Sequence, residues 1–358
     1  MSLPALNNKA DRRVRVMIVD DSSVVRGLTR RWLEADPRIN IVKLCTDGAQ
    51  AVAEVAAAAP HVIVLDVEMP NMDGLTALPQ LRKLAPGARI IMASTLTSKG
   101  ATTTIKALTL GAADYIAKPE SSSLGGAEAY KSELIAKIMA LGERATAGAP
   151  RPVNFKLRQP PLGGWKPQIM VVAASTGGPN ALQTFLAPIA KRIIAPILIV
   201  QHMPATFTTI FADKLSQVMD KRCREAVDGD VIGPGSVLLA PGDFHMRVAR
   251  DPAGRVVRLD KGDPVNYCRP AADPMFETAS AAFGPRVLCV VLTGMGSDGK
   301  NGAGKIADAG GRVIVQDEAT SVVWGMPGAV AQAGHAEAVR PLKDLSQLAL
   351  TLMNGDAA

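Results

Sequence analysis

The first 143 residues alternate five times between a short apolar run and a segment with helical periodicity. The apolar runs predict strands, and the segments that follow them predict helices. Five strand-helix units in succession predict an α/β fold with a doubly wound, parallel sheet. The predicted strands are Val14–Val19, Ile39–Cys45, Val62–Leu65, Arg89–Ala93 and Ala113–Ala117. The predicted helices are Val24–Leu33, Gly48–Ala58, Leu75–Leu84, Thr102–Leu110 and Tyr130–Leu141.

Polar side chains follow four of these strands at their carboxyl ends, where doubly wound sheets bind ligands. Three are carboxylates, which repel one another unless they share a cation, and oxygen ligands with open positions suit Mg²⁺. A phosphoryl group on the aspartate of the third strand would be neutralised by Mg²⁺, a lysine ammonium and a threonine hydroxyl. The alternative is that these aspartates only cap helices, as aspartate often does. Polar residues at four strand ends disfavour that interpretation. The residues are Asp20, Asp21, Asp66, Ser94, Thr95 and Lys118.

Four motifs in this region occur in the order typical of response-regulator receivers: IVDDS, LDVEMPNMDG, AST and GAADYIAKP. Over about residues 14–143 the chain resembles that family, which implies phosphorylation by a partner histidine kinase. The aromatic residue before the lysine matches the family's switch position, although a half-buried strand residue would explain the spacing equally well. The residues implied are Asp66 as the phosphorylated residue, Asp20, Asp21, Asp66 and the Glu68 backbone carbonyl as Mg²⁺ ligands, and Thr95, Tyr115 and Lys118 as switch residues.

A further strand-turn-helix begins the second part of the chain. The apolar strand Gln168–Ala174 runs into Ser-Thr-Gly-Gly, and Pro179 suits the first turn of the next helix. Such a turn lifts Ser175 from the sheet edge beside free backbone amides. Ala173 stands where the GxSxG motif of α/β hydrolases has its first glycine, so the turn alone is a weak signal. A phosphate-binding glycine loop is the competing interpretation, although no Walker lysine follows.

Two more strands bring a histidine and an aspartate to the same predicted edge. Ile193–Val200 leads to His202, and Val287–Leu292 leads to Asp298. With Ser175 these residues would form a complete triad. Gly299 makes a simple turn aspartate a plausible alternative. The other histidines follow no strong parallel strand of this domain: His61, His245 and His335.

The three residue types have separable roles in a serine hydrolase. His202 would take the Ser175 proton during attack, and Asp298 would fix the imidazole tautomer. Glycine-rich backbone around Met295 could offer amides to the oxyanion. The sequence therefore predicts hydrolysis through an acyl-enzyme intermediate, with no cofactor for this reaction.

Six ordered motifs over residues 168–342 resemble the methylesterase family of bacterial chemotaxis: ASTGG, QHMPATFTTIFADKL, LLAPGDFHM, RPAADPMFETA, VVLTGMGSDGKNG and VQDEATSVVWGMPGA. The resemblance implies hydrolysis of glutamate γ-methyl esters on chemoreceptors, often with deamidation of receptor glutamines. It also places Thr176 and the Met295 amide near the oxyanion. Ala173 replaces the family's usual glycine and RPAAD replaces RPSVD, which leaves fine substrate preference open.

The predicted organisation is a receiver domain over residues 1–143, a Pro/Gly-rich basic linker over 144–167 and a larger, α/β hydrolase-like methylesterase domain over 168–358. The family resemblance implies that the unphosphorylated receiver obstructs the esterase and that phosphorylation relieves this obstruction. We therefore expect chemoreceptors as substrates, a chemotaxis histidine kinase as phosphodonor, and a monomer. An esterase that serves another signalling array or a non-receptor substrate remains an alternative.

Charge and composition exclude several other classes. The net charge of +7 comes largely from the linker, which holds five basic and no acidic side chains, whereas residues 168–358 hold 18 of each sign. This balance of charge disfavours nucleic acid as a partner. The absence of a compact helix-turn-helix also disfavours a DNA-binding output domain. No apolar run approaches the roughly 20 residues of a membrane span, and the polar start lacks a secretory core, so we expect cytoplasmic residence without membrane insertion. Four dispersed cysteines encode neither a disulfide framework nor a zinc site.

Overall fold

The computed structural model describes residues 13–118, 126–146, 156–159, 165–252 and 254–355. Most of the predicted linker lies outside these ranges. The chain divides into two compact units, Met1–Thr95 with Asp114–Ala149 and Leu96–Ala113 with Pro150–Ala358. Within the described ranges, no helix is both long and apolar enough to cross a membrane.

The first unit is built on a parallel sheet of five strands. These are β1 (Val14–Val19), β2 (Ile39–Cys45), β3 (Val62–Asp66), β4 (Arg89–Ser94) and β5 (Asp114–Ala117). Their order across the sheet is β2-β1-β3-β4-β5, and every neighbouring pair is parallel. Because β1 has β2 on one side and β3 on the other, the carboxyl ends of β1 and β3 border the switch point at which such sheets bind ligands.

Five helices follow these strands in the chain. They are α1 (Ser23–Glu34), α2 (Gly48–Ala58), α3 (Gly74–Leu84), α4 (Ser98–Thr109) and α5 (Gly126–Thr146). Side-chain caps fix several of their starts. The helix α4 begins four residues before the predicted Thr102 because the Thr97 hydroxyl accepts a hydrogen bond from Gly100 N at 3.0 Å. The periodicity missed this first turn because its residues are small or polar.

Burial on both faces explains why β1 and β3 are almost wholly apolar. All five residues of β3 are buried, and so are five of the six in β1. Leu33, Leu78 and Leu81 on the helices α1 and α3 are fully buried. Each such leucine contributes about 1.5–3 kcal/mol by leaving water, so packing of helices on the sheet holds the strand ends in place.

The second unit contains a seven-stranded parallel sheet and a separate hairpin. The strands are β6 (Ile169–Ala174), β7 (Ile197–Gln201), β8 (Arg224–Glu225), β9 (Val237–Leu239), β10 (His245–Asp251), β11 (Gly254–Asp260), β12 (Val287–Val291), β13 (Arg312–Gln316) and β14 (Ala338–Arg340). The order in the large sheet is β14-β13-β12-β6-β7-β9-β8, and all its pairs are parallel. The antiparallel β10–β11 hairpin was not predicted from the sequence.

The helices that follow β6 in the chain carry the largest buried side chains. They are α6 (Gly178–Leu186), α7 (Ala205–Met219), α8 (Ala272–Phe283), α9 (Lys300–Asp308), α10 (Met326–Gln332) and α11 (Leu342–Asn354). Phe185 on α6, Phe207 and Phe211 on α7 and Phe276 on α8 are fully buried. The predicted α/β class with mainly parallel sheets is confirmed in both units.

The predicted start of β7 at Ile193 was wrong. Residues 190–192 form a 3₁₀ turn, and the strand begins at Ile197. Pro196 cannot donate a backbone hydrogen bond to a neighbouring strand, and the Ile194 side chain is 76% exposed. The run of apolar residues is therefore longer than the buried strand.

Candidate active site

Three carboxylates meet at the carboxyl ends of β1 and β3, as the sequence predicts. Side-chain oxygens of Asp20, Asp21 and Asp66 lie within 4.8 Å of one another. Asp20 and Asp66 are buried, whereas Asp21 is exposed. Lys118 places Nζ 2.8 Å from Oδ2 of Asp20 and 2.8 Å from Oδ2 of Asp66. The four side chains, here called the acidic cluster, form one charged site whose oxygen donors fit Mg²⁺.

Burial and charge oppose each other in the acidic cluster. Burial raises the pKa of Asp66 because water no longer stabilises the carboxylate, and the Lys118 ammonium only partly reverses that rise. Burial lowers the pKa of Lys118, but the carboxylates of Asp66 and Asp20 outweigh this effect and raise it. Lys118 is thus held charged between two carboxylates. A cation or phosphoryl group that enters the cluster must compete with these ion pairs.

Close packing of the backbone fixes the orientation of Asp66. A Cβ atom at residue 74 would lie 2.0 Å from the Asp66 carbonyl oxygen, so Gly74 is required there. Gly74 N donates to Val67 O at 3.0 Å. Val67 N donates to Asp66 Oδ1 at 2.8 Å, which leaves Oδ2 directed to Lys118. Gly74 is therefore a geometric requirement of the cluster.

The predicted switch residues have different environments. The Thr95 side chain is exposed. Tyr115 is only 5% exposed, so it is buried rather than half-buried. Lys137 Nζ donates to Tyr115 O at 2.5 Å and lies 5.1 Å from the ring centroid. The Glu68 side chain is exposed, and the role of its backbone carbonyl stays a prediction.

Ser175 lies at the topological switch point of the second sheet. Its strand, β6, pairs with β7 on one side and with β12 on the other. Ala174 and Gln201 are paired at the ends of β6 and β7, and His202 N donates to Ala174 O at 3.1 Å. Since paired strands lie about 4.8 Å apart, Ser175 and His202 are neighbours at one sheet edge.

Two glycines are required in the turn after Ser175. Gly177 has a φ of 74°, and a Cβ there would lie 2.5 Å from Val322 Cβ. A Cβ on Gly178 would lie 2.1 Å from Gln201 Oε1. The Gln201 amide in turn donates from Nε2 to Ser175 O at 3.0 Å. The turn is therefore fixed by the buried side chain of Gln201 as well as by its own glycines.

Asp298 is buried and accepts five hydrogen bonds. Two come from amides at the start of α8, where the helix dipole favours negative charge. Burial raises the pKa of Asp298, but the hydrogen bonds from His202 and from these amides outweigh it, so the pKa is lowered. The side chain is therefore an ionised acceptor. Its donors are His202 Nε2 at 2.7 Å, Ala272 N at 2.5 Å, Asp273 N at 3.1 Å, Gly299 N at 2.9 Å and Asn266 Nδ2 at 3.1 Å.

Both ring nitrogens of His202 have partners. Because Asp298 only accepts, Nε2 carries a proton, which leaves Nδ1 as the acceptor of the neutral ring. Cys268 Sγ lies 3.3 Å from Nδ1. Burial lowers the pKa of His202, but the hydrogen bond and negative charge of Asp298 favour the protonated ring, and the net shift of the pKa is upward. The imidazole, with 11% of its side chain exposed, is thus oriented from two sides.

The Ser175 hydroxyl is not bonded to His202. In the described part of the chain, Ser175 Oγ has no hydrogen-bond partner, and neither do the backbone N–H groups of Thr176 and Met295. A Cβ on Gly294 would lie 2.9 Å from Ser175 Cβ, which brings the residue before Met295 against the serine. The site therefore combines a formed Asp-His pair, a hydroxyl beside it and two amide donors.

The remaining histidines have other environments. His245 is buried, its Nε2 lies 3.0 Å from a backbone carbonyl oxygen, and its Nδ1 accepts from Ala271 N at 3.3 Å. His61 Nδ1 accepts from Arg15 N at 3.2 Å. The ring of His335 packs against α9, since a Cβ on Gly304 would lie 2.9 Å from it. Of the described histidines, His202 is the one paired with a side-chain carboxylate.

Several contributors to this site were not predicted. Thr293 Oγ1 donates to Thr176 O at 2.9 Å and so ties the end of β12 to the Ser175 turn. Asn266 and Cys268 come from an irregular segment whose sequence shows no periodicity. Asp273 accepts from Gly302 N at 2.7 Å and so joins α8 to α9. The Asp-Pro pair that begins at Asp273 is typical of a helix start, so the sequence indicates where α8 begins but not what its first residues contact.

Both parts of the chain are similar to known proteins. Residues 170–349 match the CheB methylesterase family, and residues 16–124 match the response regulator receiver domain. Protein-glutamate methylesterase/protein-glutamine glutaminase 2 of Caulobacter vibrioides is 52% identical over 93% of this chain and 96% of that protein. The Azospirillum brasilense protein of the same activity name is 49% identical over 93% of this chain and 91% of that protein. The crystal structure of the Thermotoga maritima CheB methylesterase catalytic domain is 39% identical, with a TM-score of 0.49 over 51% of this chain and 99% of that chain.

Proposed function

The chain belongs to the CheB methylesterase family, and we propose that it removes methyl groups from glutamate γ-methyl esters of chemoreceptors with Ser175 as nucleophile. Deamidation of receptor glutamines follows from the same acyl chemistry. The observation that carries this proposal is the 2.7 Å contact between His202 Nε2 and Asp298 Oδ2 at the strand end beside Ser175. It supplies an oriented base next to a hydroxyl.

Acylation begins when the Ser175 hydroxyl replaces the Cys268 thiol at His202 Nδ1. A thiol is a weak hydrogen-bond donor, so a hydroxyl displaces it at little cost. Ser175 Oγ attacks the ester carbonyl carbon while Nδ1 takes its proton, and Asp298 stabilises the imidazolium that forms. Methanol leaves with that proton, and the glutamyl group remains esterified to Ser175.

The negative charge that develops on the carbonyl oxygen needs donors that are already in position. The amides of Thr176 and Met295 are suited to this role because they have no acceptor within the described residues. Water then attacks the acyl-enzyme with His202 as base, which regenerates Ser175 and releases the carboxylate. With a glutamine substrate, ammonia replaces methanol as the leaving group.

We assign the acidic cluster to phosphorylation at Asp66. Asp20, Asp21, Asp66 and the Glu68 backbone carbonyl would hold Mg²⁺, which neutralises charge on the incoming phosphoryl group. Lys118 is positioned to do the same, since its Nζ lies 2.8 Å from Asp66. The phosphodonor in this proposal is a chemotaxis histidine kinase in the cytoplasm, and Thr95 and Tyr115 respond to the new charge.

Phosphorylation raises esterase activity in this proposal and so gives feedback on receptor methylation. A receiver placed ahead of an esterase in one chain supports it. Acetyl phosphate with Mg²⁺ should accelerate methanol release by the wild-type protein and leave the Asp66→Asn variant at its basal rate. Equal acceleration of both proteins would show that the effect does not pass through Asp66.

The esterase itself is tested by methanol release from purified methylated chemoreceptors. The wild-type protein should release methanol, and Ser175→Ala should release none above the uncatalysed rate. Asp66→Asn serves as the matched control because it alters the first unit and should retain basal activity. Release by Ser175→Ala at the wild-type rate would exclude the proposed nucleophile.

A further inference from the structure

A two-residue turn carries one fully exposed aromatic ring beside the candidate triad. Val265 and Cys268 exchange two backbone hydrogen bonds of 3.1 and 3.0 Å, so Asn266 and Tyr267 form the tip of the turn. Tyr267 is 102% exposed, and it is the only aromatic residue among the exposed large hydrophobic side chains of the described ranges. Its position therefore requires an explanation other than packing.

The residues on either side of Tyr267 are held by the candidate triad. Asn266 Nδ2 donates to Asp298 Oδ1 at 3.1 Å, and Cys268 Sγ lies 3.3 Å from His202 Nδ1. Arg269 anchors the base of the turn through Asp243, with contacts of 3.1 and 2.6 Å. The tip is thus fixed relative to the two residues that would handle the proton. Tyr267 must stand at the rim of the same site.

The backbone at the tip is left-handed at both positions. The φ angles are 51° at Asn266 and 63° at Tyr267. Asparagine adopts this conformation readily, but a bulky residue such as tyrosine rarely does. Local strain of this kind persists where the surroundings impose it, and it is concentrated at functional sites. A two-residue turn closed by paired backbone hydrogen bonds requires positive φ at both positions, and the contacts to Asp298 and His202 hold this turn in place.

We propose that Tyr267 contacts the polypeptide that carries the reacting glutamate ester and so determines preference for a protein substrate. This assignment rests on the proposed function. A rigid ring with a polar tip gains much contact area on a partner at little entropic cost, which is why tyrosine is enriched in binding surfaces. A glutamate side chain that reaches Ser175 brings its own backbone and neighbouring residues to the rim. Tyr267 offers them an apolar face that solvent now covers.

The test compares a protein ester with a small ester in the full chain. Tyr267→Asn removes the ring but suits the left-handed backbone, so the turn keeps its conformation. Tyr267→Phe keeps the ring. Ile194→Ala shortens another exposed apolar side chain, which precedes the amino end of β7 and so lies away from the carboxyl strand ends that carry the site. The substrates are a methylated chemoreceptor fragment and N-acetyl-glutamate γ-methyl ester amide.

For Tyr267→Asn we expect kcat/KM on the receptor fragment to fall about tenfold through KM, as for the loss of one aromatic anchor. The small ester should be hydrolysed within about twofold of the wild-type rate, because the triad is untouched. Tyr267→Phe and Ile194→Ala should resemble wild type on both substrates.

An equal fall in kcat/KM of Tyr267→Asn on both substrates, or no fall on the receptor fragment, would overturn the assignment. If the wild-type protein hydrolyses the small ester but releases no methanol from the fragment, the proposed receptor substrate is wrong and this assignment fails with it.

Discussion

The two candidate sites both lie at switch points of parallel sheets, yet their charged groups are arranged in opposite ways. In the acidic cluster, Lys118 contacts Asp20 and Asp66 directly, so both carboxylates are already paired. At the second site, Asp298 and His202 are paired while the Ser175 hydroxyl has no partner within the described residues. To accept a phosphoryl group, Asp66 would have to give up its ion pair with Lys118. At the second site, the Ser175 hydroxyl would only have to reach His202, which Asp298 already orients.

The largest effect should come from removing the base of the second site. His202→Gln keeps a polar side chain but cannot accept the proton, so kcat for ester hydrolysis should fall by at least about 10⁴-fold. Steady-state methanol release measures this loss, and circular dichroism checks the fold. A variant that retains a tenth of the wild-type kcat would show that Ser175 is activated by another group.

Replacing the carboxylate should cost somewhat less. Asp298→Asn can still fill the space at the start of α8, but its amide no longer favours the tautomer with a proton on Nε2. We expect kcat to fall by about 10³- to 10⁴-fold with a smaller change in KM. Retention of full activity by Asp298→Asn would mean that Asp298 has only a structural role.

Removing the Lys118 ammonium tests the charge arrangement of the acidic cluster. Lys118→Met leaves two buried carboxylates facing each other, and we expect the unfolding free energy of the first unit to drop by about 2–3 kcal/mol at neutral pH. Mg²⁺ should restore part of this loss because it replaces the missing positive charge. Urea denaturation with and without Mg²⁺ measures both effects.

Lys131→Met is the matched control for this experiment, since Lys131 pairs with Glu128 on the exposed surface of α5. Its loss should change the unfolding free energy by at most about 0.5 kcal/mol. If Lys118→Met is equally mild, or if Mg²⁺ stabilises neither protein, the acidic cluster does not hold a cation as proposed.

The smallest expected effect is a shift in pH dependence at the second site. His202 must be neutral to accept a proton, so kcat/KM should rise as pH rises through its pKa. Because that pKa is raised above its usual value of about 6.5, the half-maximal point should lie above pH 6.5. Asp298→Asn removes the hydrogen-bonded charge that raises it and should move the half-maximal point of the residual activity to lower pH. An unchanged profile would show that Asp298 does not set the pKa of the base in solution.

Sequence periodicity predicts the acidic cluster better than the second site, and the reason is physical. Asp20 and Lys118 directly follow strands and Asp66 is the last residue of one, so strand order alone brings them together. Ser175 and His202 are predictable in the same way. Regular alternation thus specifies residues that sit on the sheet edge itself.

The groups that tune the second site come from elsewhere. Asn266 and Cys268 belong to an irregular turn, and the amides that bind Asp298 belong to the start of α8. Their approach depends on how α8 packs against the sheet, which no local pattern encodes. The predicted start of β7 is too early for a similar reason, because hydrophobicity alone does not separate the exposed Ile194 from the buried strand.

The most direct test of Ser175 as the nucleophile is to trap the covalent intermediate on the whole chain of 358 residues. A short peptide with one glutamate γ-methyl ester is mixed with the enzyme, the reaction is quenched in acid on the millisecond scale, and the tryptic fragments are weighed by mass spectrometry. We expect a glutamyl ester on the fragment that contains Ser175, and no such adduct in the His202→Gln protein. Methanol release by the wild-type enzyme with the adduct on another residue would contradict it.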